Sequence, residues 1–280
     1  VTLYNLIRAA IHEDMPTGDL TTESLALLPR LGRARLTAKQ DLILSGSPAF
    51  EQTVLMLEPQ GKVKWHFEEG QPILKGQIIC TLQGDLIQIL KAERIAINFL
   101  MHLSGIATLT NKFVKAVSGT STKILDTRKT TPAYRDLEKR AVVHGGGLNH
   151  RHNLSSAILI KDNHISVMGG IKDAVERTRQ HTASAIEVEA SSLEQVQECV
   201  DLNVSRILLD NMTDEKLSQA LALIPDSIET EASGNMTLDR VGRVASLGVD
   251  FISVGALTHS APSCDISLLF DWAQASAGDA

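Results

Sequence analysis

The chain has 280 residues, enough for one large domain or two modest ones with a sizeable core. Its 43% apolar and 21% charged residues are ordinary for a globular protein, and a net charge of −6 disfavours wholesale binding to nucleic acid or anionic membranes. Cys80, Cys199 and Cys264 lie far apart without a CxxC pair, which argues against a disulfide framework or a zinc site and fits a reducing cytoplasm. No apolar run reaches the length of a membrane span, and Arg8, Glu13 and Asp14 occupy the first turns where a signal peptide would be apolar.

Leu3, Leu6, Ile7, Ala10 and Ile11 recur at helical spacing and predict a short amphipathic helix ending before Pro16. Asp19 or Thr21 then caps a further turn, and Glu13, Asp14 and Asp19 read as solvated charges and caps rather than metal ligands. Arg33 to Leu44 alternates loosely and reads as one or two strands. Ser47-Pro48 starts a helix to about Leu57, with proline at its first position. Val63, Trp65 and Phe67 alternate with polar residues as a half-buried strand, and short strands follow around Ile73 and Ile78 to Leu82. Leu86 to Leu103 carries the strongest helical stripe of the chain, which Ser104-Gly105 is expected to end. Arg94 interrupts that stripe beside Glu93. Periodicity alone reads it as an i,i+4 or interface salt bridge.

From about residue 104 the pattern changes. Six short apolar runs alternate with helical stretches: 123–125, 158–160, 185–188, 206–209, 228–230 and 251–254. Strand alternating with helix implies parallel βα units, and repetition closes them into a barrel. The runs end in polar groups. These are Asp126 to Lys129, Lys161 to His164, Glu187 and Glu189, Asp210-Asn211, Glu231 to Asn235, and Gly255 to His259. Polar groups at the carboxyl ends of barrel strands converge on one mouth. Arg128, Lys129, His150, Arg151 and Lys161 come early and suit carboxylates or phosphates. Glu189 and Asp210 follow, a pair suited to Mg²⁺ or sugar hydroxyls. Ser233-Gly234-Asn235 and Val254-Gly255-Ala256 come last, where small residues let backbone N–H groups approach a phosphate. The expected ligands are a multiply anionic small molecule, a divalent metal and a sugar phosphate. Lys161 at a strand end also admits an aldolase-type lyase that uses it as a Schiff base.

Motifs along nearly the whole chain carry a resemblance. They are Glu13-Asp14 with Gly18-Asp19-Leu20-Thr21-Thr22, Glu93-Arg94, Leu103 to Thr108, and Asp126-Thr127-Arg128-Lys129-Thr130. Further on come Gly145-Gly146-Gly147 with Asn149-His150-Arg151, Leu159 to His164, Glu187-Val188-Glu189, Leu209-Asp210-Asn211, Glu231 to Gly234, and Ser253 to His259. In these residues the chain resembles the quinolinate phosphoribosyltransferases, the carboxylating nicotinate-nucleotide pyrophosphorylases. The resemblance implies an N-terminal α/β sandwich over residues 1–103, completed by 261–280, and an incomplete parallel α/β barrel over 104–260. It implies transfer of phosphoribosyl from 5-phosphoribosyl-1-pyrophosphate to quinolinate with decarboxylation, a step of NAD biosynthesis, with Mg²⁺ as cofactor. A paralogous transferase acting on another aromatic acid is the nearest alternative.

The resemblance also assigns residues. Thr127, Arg128, Lys129, His150, Arg151 and Lys161 match the quinolinate pocket, and Arg94 matches an arginine lent across a homodimer interface, with a hexamer as the alternative assembly. Glu189 and Asp210 match the residues near ribose and Mg²⁺, and with Lys129 and Lys161 form the expected catalytic group. Ser233, Gly234, Asn235, Val254, Gly255, Ala256 and His259 match the region that binds the 5′-phosphate. The chain departs from the family pattern at Ala133-Tyr134, Val143-His144 and Ser156, which puts loop shape and local salt bridges in question there.

Overall fold

The computed structural model describes residues 1–271. Residues 272–280, the end of the segment expected to complete the first domain, lie outside the described residues. Two compact units emerge. One comprises residues 1–109, 131–145 and 261–271; the other comprises 110–130 and 146–260.

In the first unit, Thr2 caps a helix over Leu3–Asp14 that buries Ile7. Asp19 Oδ1 accepts from the Thr21 and Thr22 amides, both at 3.1 Å, and so caps the helix Leu20–Ser24. Five strands follow in order: β1 (Leu31–Ala38), β2 (Leu42–Ile43), β3 (Lys62–Trp65), β4 (Pro72–Ile73) and β5 (Ile78–Asp85). A helix over Ser47–Leu57 takes proline in its first turn, where a missing N–H costs nothing. β1 pairs antiparallel with β5, and β5 with β3. Alternation along β1 buries Ala34, Leu36 and Ala38 against Phe50, Leu82, Leu86, Ile89 and Leu100, the main core of this unit.

The second unit carries six parallel strands: β6 (Lys123–Leu125), β7 (Ile158–Ile160), β8 (Ile186–Ala190), β9 (Arg206–Asp210), β10 (Glu229–Ser233) and β11 (Phe251–Ser253). Their order is β6-β11-β10-β9-β8-β7. Leu148 adds a single parallel bridge to Leu125 on the far side of β6, and the ladder stops before β7. This is the incomplete parallel barrel expected from the sequence. Helices between the strands present Val196, Leu217, Val241 and Val244 to the buried Val188, Ile207, Leu209, Ala232 and Ile252. After the barrel the chain returns to the first unit, where β12 (Ile266–Asp271) pairs antiparallel with β1.

Three features differ from the sequence expectation. The helix begun at Leu86 does not stop at Ser104-Gly105 but runs to Ala116. Gly105 is there for close approach, since a Cβ on it would sit 2.2 Å from the carbonyl oxygen of Pro262. Ser104 does not break the helix either. Its Oγ donates to the Ser45 carbonyl at 3.0 Å and accepts the Ser45 amide at 3.1 Å. Secondly, β8 and β10 extend further than the apolar runs, so Glu187, Glu189 and Glu231 lie within strands rather than beyond them. Thirdly, residues 131–145, counted with the barrel in the sequence reading, pack in the first unit.

Replacing Gly105 by Ala forces its methyl group into the Pro262 backbone. The expected loss is about 1–3 kcal/mol of stability, read as a lower urea midpoint. An unchanged midpoint would contradict this account of the glycine.

Candidate active site

The side chains of the barrel interior follow from strand alternation. Register sets Glu187, Arg206 and Glu229 side by side, then Glu189, Leu208 and Glu231 one step up, then Asp210 and Ser233. Above this floor opens a cavity of about 530 Å³. It is bordered by Thr127, Arg128, Lys129, His150, Arg151 and Lys161, the whole set assigned to quinolinate within the barrel. Glu189, Asp210 and Ser233 border it as well. Residues spread over more than a hundred positions therefore meet in one place.

The basic side is built on backbone anchors. Asp126, fully buried at the end of β6, accepts the His150 amide at 2.9 Å and so fixes the segment after the glycine triplet. His150 Nδ1 accepts the Arg151 amide at 2.7 Å, and Arg151 Nη1 donates to the Ala157 carbonyl at 3.2 Å. Burial, and then the nearby Arg128, lower the Arg151 pKa. The two guanidiniums border the same cavity, a setting that favours an anionic ligand. Lys161 Nζ lies 2.6 Å from Glu189 Oε2, which joins the basic and acidic sides.

On the acidic side, Asn211 Nδ2 donates to Asp210 Oδ2 at 2.6 Å. Asn211 has φ +54°, and its Oδ1 lies where a Cβ of Gly234 would be, 2.2 Å away. Gly234 itself has φ +93°, so no larger residue fits that turn. Asn235 Nδ2 donates to the same Asn211 Oδ1 at 3.3 Å. Gly255 lets the Lys129 stem and the His259 ring close in, with a Cβ there 3.1 Å from Lys129 Cδ and 3.2 Å from His259 Nε2. Thr258 Oγ1 donates to the Lys129 carbonyl at 2.8 Å. Gly234, Asn235, Val254, Gly255, Ala256 and His259 do not themselves line the cavity. Val254 is buried, and its amide is already bonded to the Leu125 carbonyl at 2.9 Å.

Sequence reasoning left several lining residues unassigned. Leu159, Asp162, Leu208, Asn211, Glu231 and Ser253 all border the cavity. Glu187 lies beside it, with Oε2 3.2 Å from His150 Nε2. Glu231 Oε2 is 3.5 Å from the same nitrogen and 3.3 Å from Arg206 Nη1. Burial above all, and then Glu187, raise the Glu231 pKa. The available signal was period two: Glu187, Arg206, Glu229 and Glu231 occupy the same face as residues that were singled out.

Arg94 belongs to the first unit, where it borders a cleft of about 210 Å³ with Glu13, Asp14, Asn98, Phe99 and Tyr134. It is exposed and forms no ion pair among the described residues, so the i,i+4 salt bridge that periodicity allows is not formed there. The departures from the family pattern have local roles. Ala133 takes φ +67°, and Tyr134 stacks on Phe99 with centroids 5.7 Å apart. His144 Nδ1 meets Ser45 Oγ at 2.9 Å and Glu69 Oε2 at 2.8 Å. Ser156 Oγ accepts the His152 and Asn153 amides and closes its loop.

A parallel α/β barrel with cations and carboxylates facing each other across one cavity defines an enzyme for small, multiply anionic substrates. Comparison with known proteins narrows this. The profile of the quinolinate phosphoribosyl transferase N-terminal domain matches residues 19–104, and that of its C-terminal domain matches residues 106–269. The chain is 42% identical over 261 residues to a probable nicotinate-nucleotide pyrophosphorylase (carboxylating) of Synechocystis sp., covering 91% of this chain and 88% of that one. It is 38% identical to the corresponding protein of Bacillus subtilis, with 95% and 92% covered. Among solved structures, the nicotinate-nucleotide pyrophosphorylase of Ehrlichia chaffeensis superposes with a TM-score of 0.93 at 36% identity, over 97% of this chain and 99% of that one. The chain belongs to the quinolinate phosphoribosyltransferase family.

Proposed function

We propose that this chain transfers the phosphoribosyl group of 5-phosphoribosyl-1-pyrophosphate to quinolinate, releasing pyrophosphate and CO₂ and leaving nicotinate mononucleotide. Family membership supports the reaction. The observation that carries it is the single cavity bordered on one side by Arg128, Lys129, Arg151 and Lys161 and on the other by Glu189 and Asp210. A diacid suits the first side and a ribosyl donor the second.

The pyridine nitrogen is the nucleophile, so the protein need not supply one. The cations orient the two carboxylates and aim that nitrogen at the anomeric carbon. Breaking the ribosyl–pyrophosphate bond leaves an oxocarbenium-like centre. Glu189 and Asp210 place negative potential beside it and hold the ribose hydroxyls. Once ribosylated, the ring nitrogen is cationic and accepts the electrons left at C2 as CO₂ departs. Tight binding of the departing carboxylate would oppose that loss. The basic group therefore acts mainly as an orienting device, with differential stabilisation falling on the ribosyl step. A lyase using Lys161 as a Schiff base is disfavoured, because its ammonium is engaged by Glu189 at 2.6 Å rather than presented as a free amine.

The donor set fits Mg²⁺. Glu189 and Asp210 offer hard carboxylate oxygens, and Glu189 Oε1 and Asp210 Oδ1 have no hydrogen-bond partner among the described residues. Mg²⁺ bound there supplies charge neutralisation for the pyrophosphate. Ser233, Gly234 and Asn235 are proposed to border the 5′-phosphate. Arg94, exposed and without an ion pair among the described residues, is proposed to serve the cavity of a second copy in a homodimer. Three buried thiols, Cys80, Cys199 and Cys264, support a cytoplasmic location. Among the described residues, no helix is long and apolar enough to cross a membrane.

Arg128→Ala should lower kcat/KM for nicotinate mononucleotide formation by the equivalent of about 2–5 kcal/mol, since the substrate carboxylate loses its fork. Near-normal efficiency would remove Arg128 from the pocket. Subunit mixing tests Arg94: Arg94→Ala and Asp210→Ala, each inactive alone, should regain activity once mixed and reassembled. Mixtures as inactive as their parents would refute the lending of Arg94.

A further inference from the structure

Beside the diacid end of the cavity, His150, Glu187 and Glu231 bring one potential ligand atom each to within 4.8 Å of one another. That set would suit a divalent cation. Two features argue that it takes none. The Arg151 amide donates to His150 Nδ1 at 2.7 Å, so the neutral ring carries its proton on Nε2. Nε2 is also the nitrogen that faces Glu187 at 3.2 Å and Glu231 at 3.5 Å. A protonated Nε2 has no lone pair for a metal. The second feature is that the cluster already holds a cation. Arg206 Nη1 lies 3.3 Å from Glu231 Oε2, while its Nε and Nη2 donate to Glu229 Oε2 at 2.9 and 2.6 Å. The guanidinium sits over the Phe251 ring, 4.1 Å from its centroid. Strand register puts Arg206 beside both Glu187 and Glu229. Arg206 does not line the cavity and belongs to none of the motifs.

We propose that Arg206 is a positioning residue for the diacid site: through Glu231 and Glu187 it holds His150 in the neutral Nε2–H form whose Nδ1 accepts the Arg151 amide. The inference rests on the assignment of His150 and Arg151 to the quinolinate pocket.

Glu187 and Glu231 are both buried and face one imidazole. Burial favours the neutral ring. The hydrogen bond that Nε2–H donates to Glu187 and the charges of Glu231 and Glu187 outweigh it and raise the His150 pKa, and Arg206 opposes them. Arg206 acts through its 3.3 Å contact with Glu231, and its removal shifts His150 further towards the imidazolium. Nδ1 then gains a proton that confronts the Arg151 N–H, and two donors at that separation cannot bond. A cationic His150 would also stand beside Arg128 and Arg151, which already repel. With His150 neutral, Arg151 is tied at its amide by Nδ1 and at its guanidinium by the Ala157 carbonyl at 3.2 Å. Both ties fix where its fork points.

The test uses the full chain with Arg206→Gln and the double variant Arg206→Gln/Glu231→Gln. In the single variant KM for quinolinate should rise about tenfold, with a smaller change in kcat. The nitrogen-15 spectrum of His150 should change from one protonated ring nitrogen to two. The double variant, which removes the unbalanced carboxylate, should bring both readouts back towards wild type; a merely structural role for Arg206 predicts no such rescue. Unchanged KM and an unchanged ring in the single variant, or no recovery in the double variant, would overturn the proposal. Should Arg206→Gln fail to fold, Arg206→Lys decides. It keeps the cation, so His150 should retain one bare nitrogen, and loss of that nitrogen would overturn the proposal. A wild-type protein with neutral His150 but no turnover of quinolinate would sink the pocket assignment and leave the relay standing.

Discussion

The barrel interior is charged at a level where most barrels are packed with branched apolar side chains, and the rest of the site depends on how that charge is balanced. Register sets Glu187 and Glu229 beside Arg206, and Glu231, two residues further along its strand, shares their face. Burying a lone carboxylate costs several kcal/mol, so neither glutamate is tolerable without a counter-charge. Arg206 provides the charge, and the Nε2–H of His150 faces both carboxylates as a hydrogen-bond donor. Further along the same strands Glu189 and Asp210 border the cavity, together with Glu231. The same alternation thus makes an ionic floor and a reactive mouth.

That layering explains how a protein of net charge −6 presents a cationic pocket. Arg206 pairs with Glu229 and Glu231 in the floor, while Arg128, Lys129 and Arg151 border the cavity. Lys161 is the exception, paired with Glu189 at 2.6 Å. This pair stands between the two sub-sites, and a substrate that bridges them must loosen or share it. A diacid whose ring nitrogen attacks a ribosyl centre bridges them by its nature.

Much of this was legible in the sequence, and the limits are physical. The βα alternation and the polar strand ends identified the barrel and its mouth. The end of the long helix was misplaced, because a glycine that admits the Pro262 backbone looks in sequence like a glycine that breaks a helix. Glu231 was read as a strand end, since a charged residue in mid-strand becomes tolerable only when Arg206 and His150 are seen to balance it. Arg206 was read only as the start of the run 206–209, because its partners sit on neighbouring strands and not nearby in the chain. Arg94 was ambiguous for a related reason: nothing within its own helix pairs with it, and periodicity cannot distinguish an unpaired arginine from a bridged one.

The central claim is that one cavity holds the diacid and the ribosyl donor together and couples their reaction. Incubation of the protein with carboxyl-labelled quinolinate, 5-phosphoribosyl-1-pyrophosphate and Mg²⁺ tests it directly. The account predicts labelled CO₂ in equal amount to pyrophosphate, and none when the donor or Mg²⁺ is withheld. Pyrophosphate without labelled CO₂, or CO₂ released in the absence of the donor, would contradict it.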